Sequence, residues 1–242
     1  MKKIFGRTRS LRGVDTHYCQ GCGHGVVHRL IAEVIDELNI REITIGVTPV
    51  GCAVVAYDYW DFDCVESAHG RGLAVATAIK RLQPDKIVFT YQGDGDLAAI
   101  GTAETIHAAN RGENLTVVFI NNTVYGMTGG QMAPTTLIGQ KTATSPLGRN
   151  EKTEGYPLRI SELLAQLQGV YSVERSSTDS VQGILKTKNA IKAAFKNQME
   201  NKGFSLVEVL SACPTYWVLS PVESLDWIKN TMSKVFPPGR IK

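Results

Sequence analysis

At 242 residues, with 43% hydrophobic and 20% charged side chains, the chain has the size and composition of one α/β domain with a substantial core. A net charge of +3 without any dense basic run excludes a nucleic-acid partner argued from charge. No apolar stretch approaches the roughly 20 residues of a membrane span, and the start, Met1 to Arg7, has no apolar region of the signal-peptide kind. A cytoplasmic protein with no membrane partner is therefore expected, and its five cysteines read as metal ligands or thiols rather than disulfides.

Residues 1–18 are basic and lack apolar periodicity, which suggests an arm lying over the domain or a partner. Cys19-Gln20-Gly21-Cys22-Gly23-His24-Gly25 follows, a tight loop whose two sulfurs point at one centre. Val26-Val27, Leu30-Ile31, Val34-Ile35 and Leu38 then recur at helical spacing, predicting a helix to about Asn39. Ile43 to Val47 reads as a strand whose exit, Thr48 to Cys52, delivers a third cysteine. Tyr57 to Asp63 is aromatic and acidic and is expected to pack on a neighbour or line a cleft. His69 lies in Ser67 to Gly72, before a helix from Leu73 to Arg81. It is placed to face a bound diphosphate, although a surface or capping histidine is the plainer reading.

The central stretch is Ile87 to Gln131. An apolar run, Ile87 to Tyr91, stops at Gly93-Asp94-Gly95-Asp96; a helical segment follows; a second run, Leu115 to Ile120, stops at Asn121-Asn122. This is a βαβ unit with a polar group at the end of each strand. Parallel strands open on one edge of the sheet, so Asp94 and Asn122 come together in space. A carboxylate, an amide oxygen and a nearby backbone carbonyl are hard ligands that suit Mg²⁺. Gly93 and Gly95 let the backbone approach a bound group, and the helix after Asp96 offers free N–H groups to phosphate. The plain alternative is a turn and a loop without function.

Tyr125 to Gln131, which includes Thr128, reads as a flexible glycine-rich loop suited to wrapping a cofactor. Met132 to Tyr156 shows no periodicity, and a loop of that length is usually functional or lies against a partner. A short helix (Ile160 to Gln168), a strand (Val170 to Glu174), a long helix (Val181 to Glu200) and a last strand (Phe204 to Leu210) complete the pattern. Ile184, Leu185, Ile191 and Phe195 share one face of the long helix. The tail carries Cys213, Trp217, Trp227 and a short helix near Glu223 to Met232. The whole, 1–242, reads as a single α/β domain with a parallel sheet and helices on both faces. Cys19, Cys22, Cys52 and Cys213 sit in loops beside Gly or Pro, whereas Cys64 reads as packing. Spacing alone leaves three readings open for the four: a [4Fe-4S] cluster, Zn²⁺, or neither.

These motifs together resemble one family, the β subunits of the 2-oxoacid:ferredoxin oxidoreductases, of the 2-oxoisovalerate or 2-oxoglutarate type. The likeness runs from about Tyr18 to Tyr216 and includes Cys19 to His24, Val50-Gly51-Cys52, His69-Gly70-Arg71, Gly93 to Asp96, Asn121-Asn122, Val124 to Gly126, Thr128 to Gln131 and Cys213-Pro214-Thr215. It implies the thiamine diphosphate-binding fold. It further implies Mg²⁺ on Asp94, Asn122 and the Val124 backbone oxygen; thiamine diphosphate against His69, Gly93, Asp94, Gly95, Asp96, Asn122 and Thr128; and a [4Fe-4S] cluster on Cys19, Cys22, Cys52 and Cys213. His69 would also act in catalysis. The implied reaction is CoA-dependent oxidative decarboxylation of a 2-oxoacid to acyl-CoA and CO₂, with electrons passing through the cluster to ferredoxin. The resemblance assigns the aminopyrimidine-side glutamate to an α subunit, with γ and ferredoxin-like δ subunits as further partners, so the chain alone should be inactive. Two other readings stand beside it: a non-redox thiamine diphosphate-dependent decarboxylase or synthase half, and a non-catalytic organising subunit. Residues 51–60 hold no Lys or Arg to meet a second substrate carboxylate, which leans toward pyruvate-like or branched-chain 2-oxoacids over 2-oxoglutarate.

Overall fold

The computed structural model describes residue 6 and residues 8–242; most of the basic start, on which the signal-peptide argument was made, lies outside the described residues. The elements in chain order are α1 (His24–Leu38), β1 (Thr44–Pro49), β2 (Asp63–Ser67), α2 (Gly72–Leu82), β3 (Ile87–Gly93), α3 (Thr102–Asn110), β4 (Thr116–Asn121), β5 (Val124–Tyr125) and β6 (Gln131–Met132). There follow α4 (Glu151–Glu154), α5 (Ile160–Ala165), β7 (Val170–Ser177), α6 (Val181–Met199), β8 (Phe204–Leu210), α7 (Pro214–Trp217), α8 (Pro221–Trp227), α9 (Ser233–Val235) and β9 (Gly239–Arg240). Between β3 and α3 the turn Asp96–Ile100 is π-helical.

The main sheet has the order β2-β1-β3-β4-β8-β7-β9. All neighbours are parallel except β9, which joins the far edge antiparallel to β7. Alternating side chains divide the core into two layers. Phe89, Tyr91, Val118, Ile120, Val207 and Val209 face α1 and α6. Val88, Val117, Phe119 and Leu206 face the opposite way, onto Leu73, Ala76, Ala108 and Leu164 from α2, α3 and α5. Each such side chain stabilises by about 1.5–3 kcal/mol, which is why both strand runs of the central unit are apolar throughout. A third cluster, Leu137, Leu210, Ile228, Met232 and Phe236, seats the C-terminal helices beside the end of β8.

Several boundaries move. β2 was not expected: its residues are mostly exposed, and an edge strand with Asp63 and Glu66 carries no apolar alternation. In the aromatic segment before it Tyr59 and Trp60 are core, Trp60 fully buried with its indole N–H donating to the His28 carbonyl, whereas Tyr57 is exposed. Leu185 is 56% exposed, so the buried face of α6 runs instead through Ala190, Ile191, Ala194 and Phe195. The arm, from residue 8 onward, lies on its own domain: Ser10 Oγ donates to Asp36 at 2.6 Å, and Leu11 bridges to Trp60. Among the described residues no helix is long and apolar enough to cross a membrane.

Candidate functional site

β1 has β2 on one side and β3 on the other, so the chain reverses its direction of travel across the sheet at this point. Sheets of this kind open a crevice at the carboxyl ends of the strands there. The register pairs Gly93 with Ile120, and Asn121 with Leu210, which brings the exits of β3, β4 and β8 side by side. A cleft lies over these exits, lined by His24, Val50 to Cys52, His69, Gly93 to Asp96, Asn122 and Val124 to Thr128. Every residue expected at the oxygen-ligand site lines it.

Asp94 is 1% exposed. Its Oδ2 accepts from Thr135 Oγ1 at 2.6 Å and its Oδ1 from the Gly95 N–H at 2.8 Å. Among the described residues no Lys or Arg meets it, and burial pushes its carboxyl up to about 7. Asn122, 6% exposed, shares the cleft, and its Oδ1 accepts weakly from the Val124 N–H at 3.3 Å. A buried carboxylate without a cation, beside an amide oxygen, is the donor set that a hard divalent ion completes. Gly93 has open space where a Cβ would stand, while a Cβ on Gly95 would lie 2.1 Å from the Tyr125 ring. The turn therefore has to be glycine on its closed side and offers bare backbone on its open side.

Asp96 does something different from what its place in the motif suggests. Its carboxylate accepts from Gln92 Nε2 at 2.6 Å, from the Gly70 N–H at 2.6 Å, and pairs with His69 Nδ1 at 2.5 Å. Burial raises its pKa against these donors. Asp96 thus fixes the His69 loop on the π-helical turn, with the second ring nitrogen, Nε2, outside the ion pair. The Thr128 hydroxyl donates to Gln131 Oε1 at 2.7 Å, so in the chain by itself Thr128 reaches the cleft with its hydroxyl already engaged.

The thiols gather at the same edge from separate elements: Cys19 and Cys22 before α1, Cys52 after β1 and Cys213 after β8. The Gly23 N–H donates to the Ala212 carbonyl at 3.2 Å, tying the first loop to the exit of β8. A Cβ on Gly23 would meet Ser211 Oγ at 2.1 Å, so the loop packs closely against Ser211 there. A point one Cβ from Gly126 is 3.1 Å from Cys52 Sγ, 3.9 Å from Cys213 Sγ and 3.7 Å from Asn122 Nδ2. Two of the thiols and the Asn122 amide thus surround one point beside Gly126. Burial pushes Cys22 and Cys213 up to about 12 and Cys52 to about 11, with mutual repulsion among the cysteines adding to it. Cys64 is pushed to about 12 by burial as well, but it feels Arg12 and Asp63 rather than any other cysteine. Four mutually repelling thiols need positive metal to hold them as thiolates. Among the described residues no three His, Cys, Asp or Glu side chains converge tightly enough for a single ion. A cluster asks for a wider arrangement, because each thiolate takes its own iron.

Some participants had no legible role in the sequence. Thr135 sits in the unpatterned loop, yet it holds Asp94. That loop is set by Arg149, 6% exposed, whose guanidinium donates to the carbonyls of Pro134, Thr136, Glu154, Gly155 and Tyr156. Trp217 Nε1 donates to the Asn122 carbonyl at 3.0 Å. His24 is buried in the cleft wall, its Nδ1 2.6 Å from the Tyr91 hydroxyl and its pKa pushed down to about 3 by burial. Only the Gly-His pair after Cys22 hinted at it.

With this geometry the comparisons with known proteins can be set out. The family described as "Thiamine pyrophosphate enzyme, C-terminal TPP binding domain" matches residues 49–209. The chain is 51% identical over 234 residues to the ketoisovalerate oxidoreductase subunit VorA of Methanothermobacter thermautotrophicus, covering 97% of this chain and 49% of that one. It is 39% identical to the 2-oxoglutarate synthase subunit KorB of Archaeoglobus fulgidus, covering 91% of this chain and 78% of that one. Among solved structures, it is similar to a chain of the 2-oxoglutarate:ferredoxin oxidoreductase from Magnetococcus marinus with 2-oxoglutarate, coenzyme A and succinyl-CoA bound. The TM-score is 0.77 at 28% identity, over 91% of this chain and 71% of that one. The chain spans about half the length of the first curated relatives it matches.

Proposed function

The chain belongs to the family of 2-oxoacid:ferredoxin oxidoreductase β subunits, and from that premise we propose that it is the diphosphate-binding half of a thiamine diphosphate site and, with partner subunits, oxidatively decarboxylates a 2-oxoacid to acyl-CoA. When bound, thiamine diphosphate supplies an electron sink for loss of CO₂. In this reading Asp94, Asn122 and the Val124 backbone oxygen hold Mg²⁺, which meets the charge that Asp94 alone would turn against a diphosphate. Thr135 and the Gly95 N–H orient the Asp94 carboxylate. The bare backbone at Gly93 would let the diphosphate approach the metal. His69, fixed by Asp96, presents its other ring nitrogen as a hydrogen-bonding group toward the reacting end. Cys19, Cys22, Cys52 and Cys213 hold a [4Fe-4S] cluster that passes electrons to ferredoxin.

The observation that carries this reading is the closeness of the two residue sets, with the Asn122 amide and two of the four thiols around one point beside Gly126. It supports one-electron chemistry next to the cofactor. Purification without air, with about four irons and four sulfides per chain and a broad visible absorbance bleached by dithionite, is the expected result. Zinc, or no metal, would leave a non-redox thiamine diphosphate enzyme instead.

Among the described residues that line the cleft, the carboxylates are Asp94 and Asp96, and both are engaged. The acid that activates the cofactor's ring must then come from a partner, in line with an α subunit, and the chain alone is expected to show no turnover. The same lining holds no Lys or Arg. That supports a monocarboxylate of the branched-chain kind, consistent with the name of the relative at 51% identity. Turnover of 2-oxoisovalerate, pyruvate and 2-oxoglutarate by the assembled enzyme tests it; a strong preference for 2-oxoglutarate would overturn the substrate assignment.

A further inference from the structure

The turn from β4 to β5, Asn122 to Val124, bends at Thr123, whose φ is +62°. A β-branched side chain is a steric outlier in that left-handed region. Among the described residues three other non-glycine positions share it: Asn39, Asn201 and Val218. Asparagine tolerates the conformation, and Val218 ends α7 with 87% of its surface exposed. Thr123 is instead fully buried. A strained residue of this kind persists only where its surroundings hold it, and such residues gather at ligand sites.

The surroundings of Thr123 supply that hold. Its hydroxyl donates to the Asn122 carbonyl at 2.7 Å and accepts from Gln140 Nε2 at 2.8 Å. Its carbonyl accepts from the Thr136 hydroxyl at 2.5 Å. Trp217 Nε1 donates to the same Asn122 carbonyl at 3.0 Å, and the Leu137 N–H donates to Gln140 Oε1 at 2.9 Å. Within the turn the Val124 N–H reaches back across Thr123 to Asn122 Oδ1 at 3.3 Å. The backbone of this one residue therefore sets where the Asn122 amide oxygen lies relative to Val124. Asn122 and Val124 line the cleft, whereas Gln140 does not.

We propose that Thr123 is a positioning residue for the metal-binding turn: its hydroxyl, held by Gln140, locks the left-handed bend that sets the Asn122 amide and the Val124 backbone before a divalent cation arrives. This rests on the Mg²⁺ reading of Asp94, Asn122 and Val124 given above. Without the hydroxyl the bend relaxes in part of the population. Apparent metal affinity then falls with the fraction of chains that keep the competent turn.

The test titrates Mg²⁺ into the metal-free assembled enzyme at a fixed concentration of thiamine diphosphate and reads cofactor binding by equilibrium dialysis. Thr123→Ser keeps the hydroxyl and should match wild type. Thr123→Val keeps the branched shape without the hydroxyl. It should need about 10–100-fold more Mg²⁺ for half-saturation, with excess Mg²⁺ restoring the full amount of bound cofactor. Gln140→Met, at the far end of the same hydrogen bond, should shift the requirement in the same direction. An unchanged Mg²⁺ requirement in Thr123→Val overturns the proposal and leaves the metal reading standing. So does a Thr123→Ser variant as weak as Thr123→Val, or a maximum of bound cofactor that excess Mg²⁺ does not restore, the mark of a merely structural residue. Wild-type enzyme that binds thiamine diphosphate without Mg²⁺ overturns both readings. Should Thr123→Val fail to fold, Gln140→Met decides, and an unchanged requirement there overturns the proposal.

Discussion

Two buried carboxylates lie at opposite extremes of satisfaction. Glu208, in mid-strand β8 and 1% exposed, accepts from Arg175 Nε at 2.7 Å, from Asn121 Nδ2 at 2.7 Å and from the Ser161 hydroxyl. Arg175, also fully buried, reaches on to Glu162 at 2.6 Å. Asp94, equally buried at the exit of β3, has a threonine and a backbone N–H but no cation. A charge that belongs to the scaffold is paired within the chain; a charge left to its site waits for something that arrives from outside. The two are joined by adjacent residues: Asn121 points down into the Glu208 network, and Asn122 faces the cleft with Asp94. The scaffold network fixes the backbone from which the second amide reaches the cleft.

Breaking the scaffold pair should have the largest effect. Arg175→Met leaves Glu208 buried and uncompensated, at a cost of about 3–5 kcal/mol in stability, read as a lower midpoint in urea unfolding. Asp94→Asn should do the reverse. We expect unfolding stability unchanged or slightly raised, with Mg²⁺-dependent thiamine diphosphate affinity of the assembled enzyme lowered more than about 100-fold. A large loss of stability in this variant would erase the contrast between the two carboxylates. Thr135→Val keeps the side-chain shape and removes the donor to Asp94. It should weaken Mg²⁺ binding by about 10–100-fold with little change in melting temperature, and normal affinity would remove Thr135 from the site.

The same burial sets a pH dependence. The Asp94 pKa is raised from 3.8 in the unfolded chain to about 7 in the folded one. The folded chain therefore holds a proton that the unfolded chain releases in this window, and Asp94's contribution to stability falls as pH rises from about 4 to about 7. Without metal, the stability difference between wild type and Asp94→Asn should shift in favour of the variant across that window. Added Mg²⁺ should flatten the trend. Proton competition should lower Mg²⁺ affinity up to about tenfold for each unit below pH 7, measurable by titration calorimetry; a flat profile would place the Asp94 pKa near its ordinary range.

Much of this was legible because it was local or periodic. The strand runs ending at Asp94 and Asn121-Asn122, and the parallel rule that puts strand exits on one edge, placed Asp94 and Asn122 in one cleft. The gathering of Cys19, Cys22, Cys52 and Cys213 was legible only as four loops near Gly or Pro. Edge strand β2 escaped because exposed residues carry no alternation, and Leu185 was misplaced because one apolar residue on a mostly polar helix need not face inward. Asp96 was read as a phosphate-side residue, since the sequence cannot say that Gln92, Gly70 and His69 take its carboxylate.

By itself the sequence determined the central strand–helix–strand unit and the helices and strands with clear apolar period, the polar residues at the ends of β3 and β4, and the separation of Cys64 from the other cysteines. These follow from hydrophobic period and turn chemistry, which act over a few residues. Only the tertiary structure decided that Thr135, 41 residues beyond Asp94, donates to it, and that Arg149 holds the loop from which it does so. Hydrogen bonding and desolvation depend on which groups meet across the fold, and no local pattern in the chain encodes those meetings.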